Sequence, residues 1–118
     1  MTKTQESALA SLRERIKDYI GGKRLSHTYG VEREIAKLAV IYDPDEEFDL
    51  RAAALLHDIT KPLKPDEQLK LCGEYGIPCT PGDRLMPKTF HAKTGAQTVR
   101  RKFPEFASGT VCDSILYH

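Results

Sequence analysis

The chain has 118 residues, of which 30% are charged, and its net charge is +1. This length fits one domain with a single core, and the balanced charge excludes the strong basic field by which many proteins bind nucleic acid. No apolar stretch approaches a signal region or a membrane span, and the three cysteines, Cys72, Cys79 and Cys112, lack metal-finger spacing. We therefore expect a soluble, cytoplasmic protein with reduced thiols and neither nucleic acid nor membrane as a partner.

The first predicted helix covers residues 5–20. Its apolar residues recur every four positions: Ala8, Leu12, Ile16 and Ile20. Gly21-Gly22 follows, as is typical where a helix ends in a left-handed cap. This pattern indicates a helix whose role is packing.

The second predicted helix runs from about Arg24 to Tyr42. We expect its buried face to carry apolar residues spaced by four, three and four: Val31, Ile35, Leu38 and Tyr42. His27 lies four residues before Val31 and Arg24 one turn earlier, so the imidazole is expected to point to the core. An inward histidine is either a core residue or a ligand. Arg24 is either a surface cation or a phosphate contact.

The third predicted helix follows the acidic turn of residues 43–47 and runs from Leu50 to His57. It ends in an adjacent His57-Asp58 pair after an alanine- and leucine-rich run. A carboxylate beside apolar surface needs a positive partner, and the candidates are Lys61 and a divalent metal. The alternative is a helix end at which His57 caps carbonyl groups and Asp58 begins a turn before Pro62.

Prolines concentrate between residues 62 and 87, where one short helix, Asp66 to Tyr75, is predicted with Gly76 as its stop. Residues 77–88 are predicted to form an irregular loop. A loop of this length is either a lid over a site or an ordinary surface excursion.

Two further helices are predicted in the C-terminal part. His91 opens the first, in which Gly95-Ala96 permits close approach to a neighbour. The second starts near Pro104-Glu105 and carries Val111, Ile115 and His118 on its inner side. The chain ends at His118 with no glycine, proline or polar tail, from which we expect a single domain, residues 1–118, that lacks one or more C-terminal helices.

These patterns predict an all-α protein, an irregular bundle of five to seven helices. No strand pattern of comparable strength is present, and neither a dinucleotide-binding glycine motif nor a P-loop occurs. The site is expected between helices.

Four motifs in a fixed order carry a resemblance to a known family. They are Arg24-Leu25-Ser26-His27, Leu55-Leu56-His57-Asp58-Ile59-Thr60-Lys61, His91-Ala92-Lys93-Thr94-Gly95-Ala96 and Ile115-Leu116-Tyr117-His118. Over residues 15–118 the chain resembles the HD-domain metal-dependent phosphohydrolases, and within them it is most similar to the YqeK family of symmetrical diadenosine tetraphosphate hydrolases. That family continues with a Thr-Thr-Gly segment and a metal-binding aspartate, which have no counterpart in this sequence.

The resemblance implies a site with two divalent ions, iron as the first choice and manganese as the second, roughly 3.5 to 4 Å apart. The implied metal ligands are His27, His57, Asp58, His91 and His118. Asp58 and Lys61 are the implied catalytic residues, and Arg24 and Lys61 the phosphate-binding ones.

The implied substrate is diadenosine tetraphosphate or a close dinucleoside polyphosphate, and a homodimer is a candidate assembly. The residues themselves indicate only hydrolysis of a phosphoester or phosphoanhydride bond. Two alternatives stay open: hydrolysis of another nucleotide, and a non-catalytic helical module that binds a nucleotide or a partner protein.

Overall fold

The computed structural model describes residues 1–78, 81 and 87–117. Within these ranges the chain forms six α-helices and no strand, which confirms the all-α prediction. None of the described helices combines the length and the apolar character needed to cross a bilayer. The helices are α1 (Lys3–Arg15), α2 (Gly22–Tyr42), α3 (Glu47–Leu56), α4 (Pro65–Tyr75), α5 (Pro87–Lys102) and α6 (Gly109–Tyr117).

Helix α1 begins with a capping box, in which the Thr2 hydroxyl accepts from the Gln5 amide and the Gln5 side chain accepts from the Thr2 amide. The helix is followed by a 3-10 turn at Ile16–Asp18. The predicted apolar positions are confirmed, since Leu12, Ile16 and Ile20 are buried in the main core.

Helix α3 is the centre of the bundle and contacts α1, α2 and α6. Its last five residues are all buried because small and apolar side chains fill every side of this segment: Ala52, Ala53, Ala54, Leu55 and Leu56. Helices α2 and α3 run antiparallel, since Glu32 pairs with Arg51 while the earlier Arg24 lies near the later Asp58. This pairing determines which side chains of α2 reach the end of α3.

The predicted buried face of α2 is wrong by about one position. Leu38 is 50% and Tyr42 80% exposed, whereas Thr28 and Glu32 are buried against the rest of the bundle. The reason is electrostatic. The buried carboxylate of Glu32 is paired with arginines from α1 and α3, and these pairs turn a polar stripe inward in place of the apolar one.

In the C-terminal half, α5 packs against both α4 and α6. Helix α4 ends at Gly76, whose φ of +66° is the left-handed cap that the sequence indicates. Helix α5 begins at Pro87, so His91 lies in its second turn rather than at its start. Most of the predicted loop of residues 77–88, with Cys79, lies outside the described residues.

The last helix also begins later than predicted. Residues Pro104–Phe106 form a separate 3-10 turn, and α6 starts at Gly109, whose neighbour Ser108 accepts a hydrogen bond from the Val111 amide through its hydroxyl. Val111 and Ile115 are buried as expected.

Candidate functional site

The His57-Asp58 pair lies where α3 ends. His57 follows Leu56 as the C-terminal cap of the helix, and its Nδ1 atom is 2.6 Å from the Ala54 carbonyl oxygen. The Lys61 amide donates to the Asp58 carbonyl oxygen at 3.1 Å and closes the next turn. The capping geometry considered for His57 is therefore present, and it places the imidazole beside the Asp58 carboxylate.

Asp58 is a buried carboxylate, with only 4% of its surface exposed. Its nearest charged partners among the described residues are His57 Nε2 at 3.4 Å and Arg24 Nη1 at 3.8 Å, both to Oδ2. Lys61, one of the two candidates for a positive partner, has an exposed side chain instead. Arg24 takes that place because the antiparallel packing of α2 on α3 brings the first turn of α2 to the end of α3.

The orientation of the His57 ring suits metal binding. A carbonyl oxygen only accepts, so the contact with Ala54 keeps a proton on Nδ1. In the neutral ring Nε2 then carries a lone pair and lies 3.4 Å from a carboxylate oxygen. Two electron-rich atoms at this separation are stabilised either by protonation of the imidazole or by a cation bound to both. Imidazole nitrogen and carboxylate oxygen are also the ligand types that first-row transition ions favour.

The other candidate ligands differ in whether their side chains face the interior or the solvent. His91 is 7% exposed and faces the interior, as expected. His27 has an exposed side chain beside a surface depression of about 450 Å³ that Val31 and Ile35 also line, so its expected orientation towards the core is wrong. His118 lies outside the described residues. Within the described ranges, no three histidine, cysteine, aspartate or glutamate side chains lie close enough together to hold one metal ion.

Sequence reasoning missed a buried polar cluster behind the His57-Asp58 turn. Thr60, Gln68 and Thr94 come from the turn, α4 and α5, and all three are buried. The available signal was weak: polar residues that interrupt otherwise apolar helix faces. A second missed feature is Thr28, whose fully buried hydroxyl makes no hydrogen bond within the described part of the chain.

An α-helical bundle that holds a half-buried histidine beside a buried aspartate at a helix end, with a second histidine turned inward from a neighbouring helix, defines a class of candidate metal-dependent hydrolases. The sequence profile of the HD domain matches residues 24–118, so the chain belongs to the HD-domain family. HD domains are typically metal-dependent phosphohydrolases that bind divalent ions. No curated protein and no solved structure matches the chain.

Proposed function

We propose that this protein is a metal-dependent phosphohydrolase that cleaves diadenosine tetraphosphate symmetrically into two molecules of ADP. The observation that supports hydrolysis is the buried Asp58 carboxylate with the His57 imidazole held beside it at a helix end. The assignment of the substrate rests on the similarity of the four ordered motifs to YqeK-type proteins. The residues of these motifs do not by themselves indicate recognition of adenine.

His57 and Asp58 are the first ligands of the proposed metal site, and His27, His91 and His118 complete it. This set of imidazoles with one carboxylate favours iron, and manganese next. When bound, the two divalent ions supply an activated water and neutralise negative charge on the phosphoryl group. The exposed His27 reaches such a site only if its side chain turns towards Asp58.

Arg24 and Lys61 are the proposed phosphate contacts. The Arg24 side chain is 37% exposed and 3.8 Å from Asp58, so its guanidinium lies at the boundary between the buried carboxylate and solvent. Lys61 follows three residues after Asp58 and has an exposed side chain. Both can screen a long polyphosphate whose middle lies over Asp58, and attack there leaves equal halves.

We further propose that the protein acts in the cytoplasm as a homodimer. The buried thiol of Cys112 is free, which agrees with a reducing compartment. Helix α2 carries a stripe of apolar residues that we expected in the core: Val31, Ile35, Leu38 and Tyr42. Their spacing of four, three and four is the same when it is counted from either end of the helix. A two-fold axis would therefore pair Val31 with Tyr42 and Ile35 with Leu38 of an antiparallel second copy.

The dimer is expected to be weak because four side chains on one helix cover less area than a standard interface. Light scattering over a concentration series should give a mass that rises towards twice 13.3 kDa, and Leu38→Glu should abolish the rise. A monomer at every concentration would contradict the dimer.

Product analysis tests the reaction. Protein loaded with iron or manganese is incubated with diadenosine tetraphosphate, and the nucleotides are separated by anion exchange. ADP as the only product supports the proposal, and AMP with ATP would mean asymmetric cleavage. If the dinucleotide stays intact while other nucleotides are hydrolysed, the protein belongs to another branch of HD-domain enzymes.

The exposed position of His27 favours a second candidate, a non-catalytic helical module that binds a nucleotide or a partner protein. Elemental analysis of the loaded protein separates the two. Two ions per chain favour the hydrolase, and none favours the module.

A further inference from the structure

Three buried polar side chains from three different elements meet directly behind the His57-Asp58 turn. They are Thr60 from the turn, Gln68 from α4 and Thr94 from α5, with 3%, 4% and 0% of their surfaces exposed. The Gln68 amide nitrogen donates to the Thr60 carbonyl oxygen at 2.6 Å. The Thr94 hydroxyl lies 2.7 Å from the Gln68 amide oxygen and 2.9 Å from the Thr60 hydroxyl. This cluster joins α4, α5 and the turn through side-chain hydrogen bonds.

The directions of these hydrogen bonds follow from the chemistry of the groups. Turning the Gln68 amide round would set its oxygen 2.6 Å from another acceptor, the Thr60 carbonyl, so the nitrogen must face Thr60. The oxygen then faces the Thr94 hydroxyl, whose one proton has three acceptors within reach: this amide oxygen at 2.7 Å, the Thr60 hydroxyl at 2.9 Å and the Phe90 carbonyl at 2.9 Å. The one proton of the Thr60 hydroxyl goes to a backbone carbonyl of α5, so Thr60 is an acceptor towards Thr94. Removing the Thr94 hydroxyl therefore takes away the donor that faces the buried Gln68 amide oxygen.

The cluster also reaches the helix that carries His91. The Thr60 hydroxyl donates to the His91 carbonyl oxygen at 3.0 Å. Close approach makes this bond possible, because a Cβ atom on Gly95 would lie 3.4 Å from the Thr60 hydroxyl and 3.3 Å from Ile115. Thr60 follows Asp58 by two residues, so one side chain ties the Asp58 turn to the turn of α5 that contains His91.

We propose that Thr60, Gln68 and Thr94 are positioning residues that hold the His57-Asp58 turn and His91 in fixed register. This inference rests on the proposed metal site, since register matters only if both segments supply ligands to one centre. An apolar cluster of equal volume would bury similar area but would not fix the position of one backbone segment against the other, because packing is less directional than hydrogen bonding. Outer groups that orient ligands typically change metal affinity by about 10–100-fold.

Helix α5 offers a matched control for the test. Thr98 lies one turn after Thr94, is 3% exposed, and its hydroxyl is 3.3 Å from the Tyr75 hydroxyl of α4. Thr94→Val and Thr98→Val therefore remove the same atom at equal burial on the same interface, but only Thr94 is bonded to the cluster. Thr94→Ser retains the hydroxyl and should restore the wild-type behaviour.

Two readouts are measured on these variants. The first is manganese affinity by titration calorimetry, which we expect to fall about 10–100-fold in Thr94→Val and to change less than about twofold in Thr98→Val. The second is amide hydrogen exchange of the metal-free protein by mass spectrometry. Exchange should rise in residues 57–63 and 90–94 of Thr94→Val relative to Thr98→Val.

The outcomes separate this proposal from the proposed function. Equal exchange and equal metal affinity in the two valine variants would overturn the positioning role. Failure of Thr94→Ser to restore affinity would also overturn it, since loss of the γ-methyl rather than of the hydroxyl would then be responsible. If the wild-type protein binds no metal, the proposed function fails, and the exchange comparison by itself decides whether the cluster fixes the register.

Discussion

Two buried carboxylates lie along the contact between α2 and α3, and they differ in the distance to their charged partners. The Glu32 carboxylate accepts bidentate hydrogen bonds from the Arg13 guanidinium at 2.7 and 2.8 Å. It accepts a third hydrogen bond from Arg51 at 2.8 Å. Asp58 has His57 at 3.4 Å and Arg24 at 3.8 Å. Both side chains are about equally buried, at 4% and 5% exposed. The same helix pair thus holds one carboxylate with short, well-aligned bonds and one with long contacts.

The difference indicates two roles. Burial raises the pKa of the Glu32 carboxyl, and the hydrogen bonds from Arg13 and Arg51 outweigh that effect, so its pKa lies below the ordinary value. Glu32 is therefore a structural ion that joins α1, α2 and α3. Asp58, whose charged partners are more distant, is the carboxylate that we propose as a metal ligand. Four predictions test this comparison.

The largest effect is expected from Glu32→Ala, which leaves two arginines facing a buried gap. Breaking a buried pair by removing one partner typically costs about 3–5 kcal/mol, and urea unfolding followed by circular dichroism measures this loss. The control is Glu34→Ala, which removes an exposed carboxylate that pairs with Lys37 on the same helix. A cost below about 1 kcal/mol for Glu32→Ala would mean that the pair is not structural.

The next effect concerns Asp58→Ala and His57→Ala, which should remove metal without unfolding the chain. The apolar core is formed by other residues, and loss of a ligand should lower affinity by more than the roughly 10–100-fold seen for outer groups. Elemental analysis of the loaded protein and circular dichroism measure the two properties. Asp113→Ala, at an exposed position of α6, serves as the control. Full metal content in Asp58→Ala would refute the site.

A smaller effect is expected in acid. Because the pKa of the Glu32 carboxyl is lower in the folded protein than the ordinary glutamate value of 4.5, its ionised form stabilises the fold above that pH. This contribution is lost as the pH falls through the folded pKa. The difference in unfolding free energy between the wild type and Glu32→Gln should therefore be largest near neutral pH and shrink below about pH 4.5. A difference independent of pH would show that charge is not what Glu32 contributes.

The smallest effect on stability is expected from Arg24→Gln. The Arg24 guanidinium is partly exposed and lies 3.8 Å from Asp58, so the change should cost no more than about 0.5 kcal/mol. By contrast, Arg51→Gln disrupts bonds to both Glu32 and Glu47 and should cost several times more. Polyphosphate affinity should fall in Arg24→Gln alone. Equal destabilisation by the two substitutions would remove the distinction between the two carboxylates.

Much of the fold could be predicted because local signals are strong. Gly76 and the Pro65 start delimit α4, and the four-residue apolar spacing of α1 identifies its buried side. The inward position of His91 was expected because Gly95-Ala96 lets its helix lie close to a neighbour. Helix ends were less certain, since the Pro104 segment has the composition of a helix start but closes into a separate 3-10 turn.

The candidate site was predictable only in part. The adjacent His57 and Asp58 need no tertiary information to be neighbours, so the sequence identifies them directly. The face of α2 could not be predicted because two stripes with helical spacing compete on that helix. Burial of Glu32 depends on Arg13 and Arg51, which are 19 residues away on either side.

The sequence by itself determined the helical class, the family motifs and the His-Asp pair at the end of α3, because these depend on residue spacing within one segment. Only the tertiary structure decided which face of α2 is buried, that Arg24 rather than Lys61 lies beside Asp58, and that Thr60 contacts the backbone of His91. Each of these is a pairing between distant segments. Its free energy depends on distance and burial, and neither quantity is present in the order of residues alone.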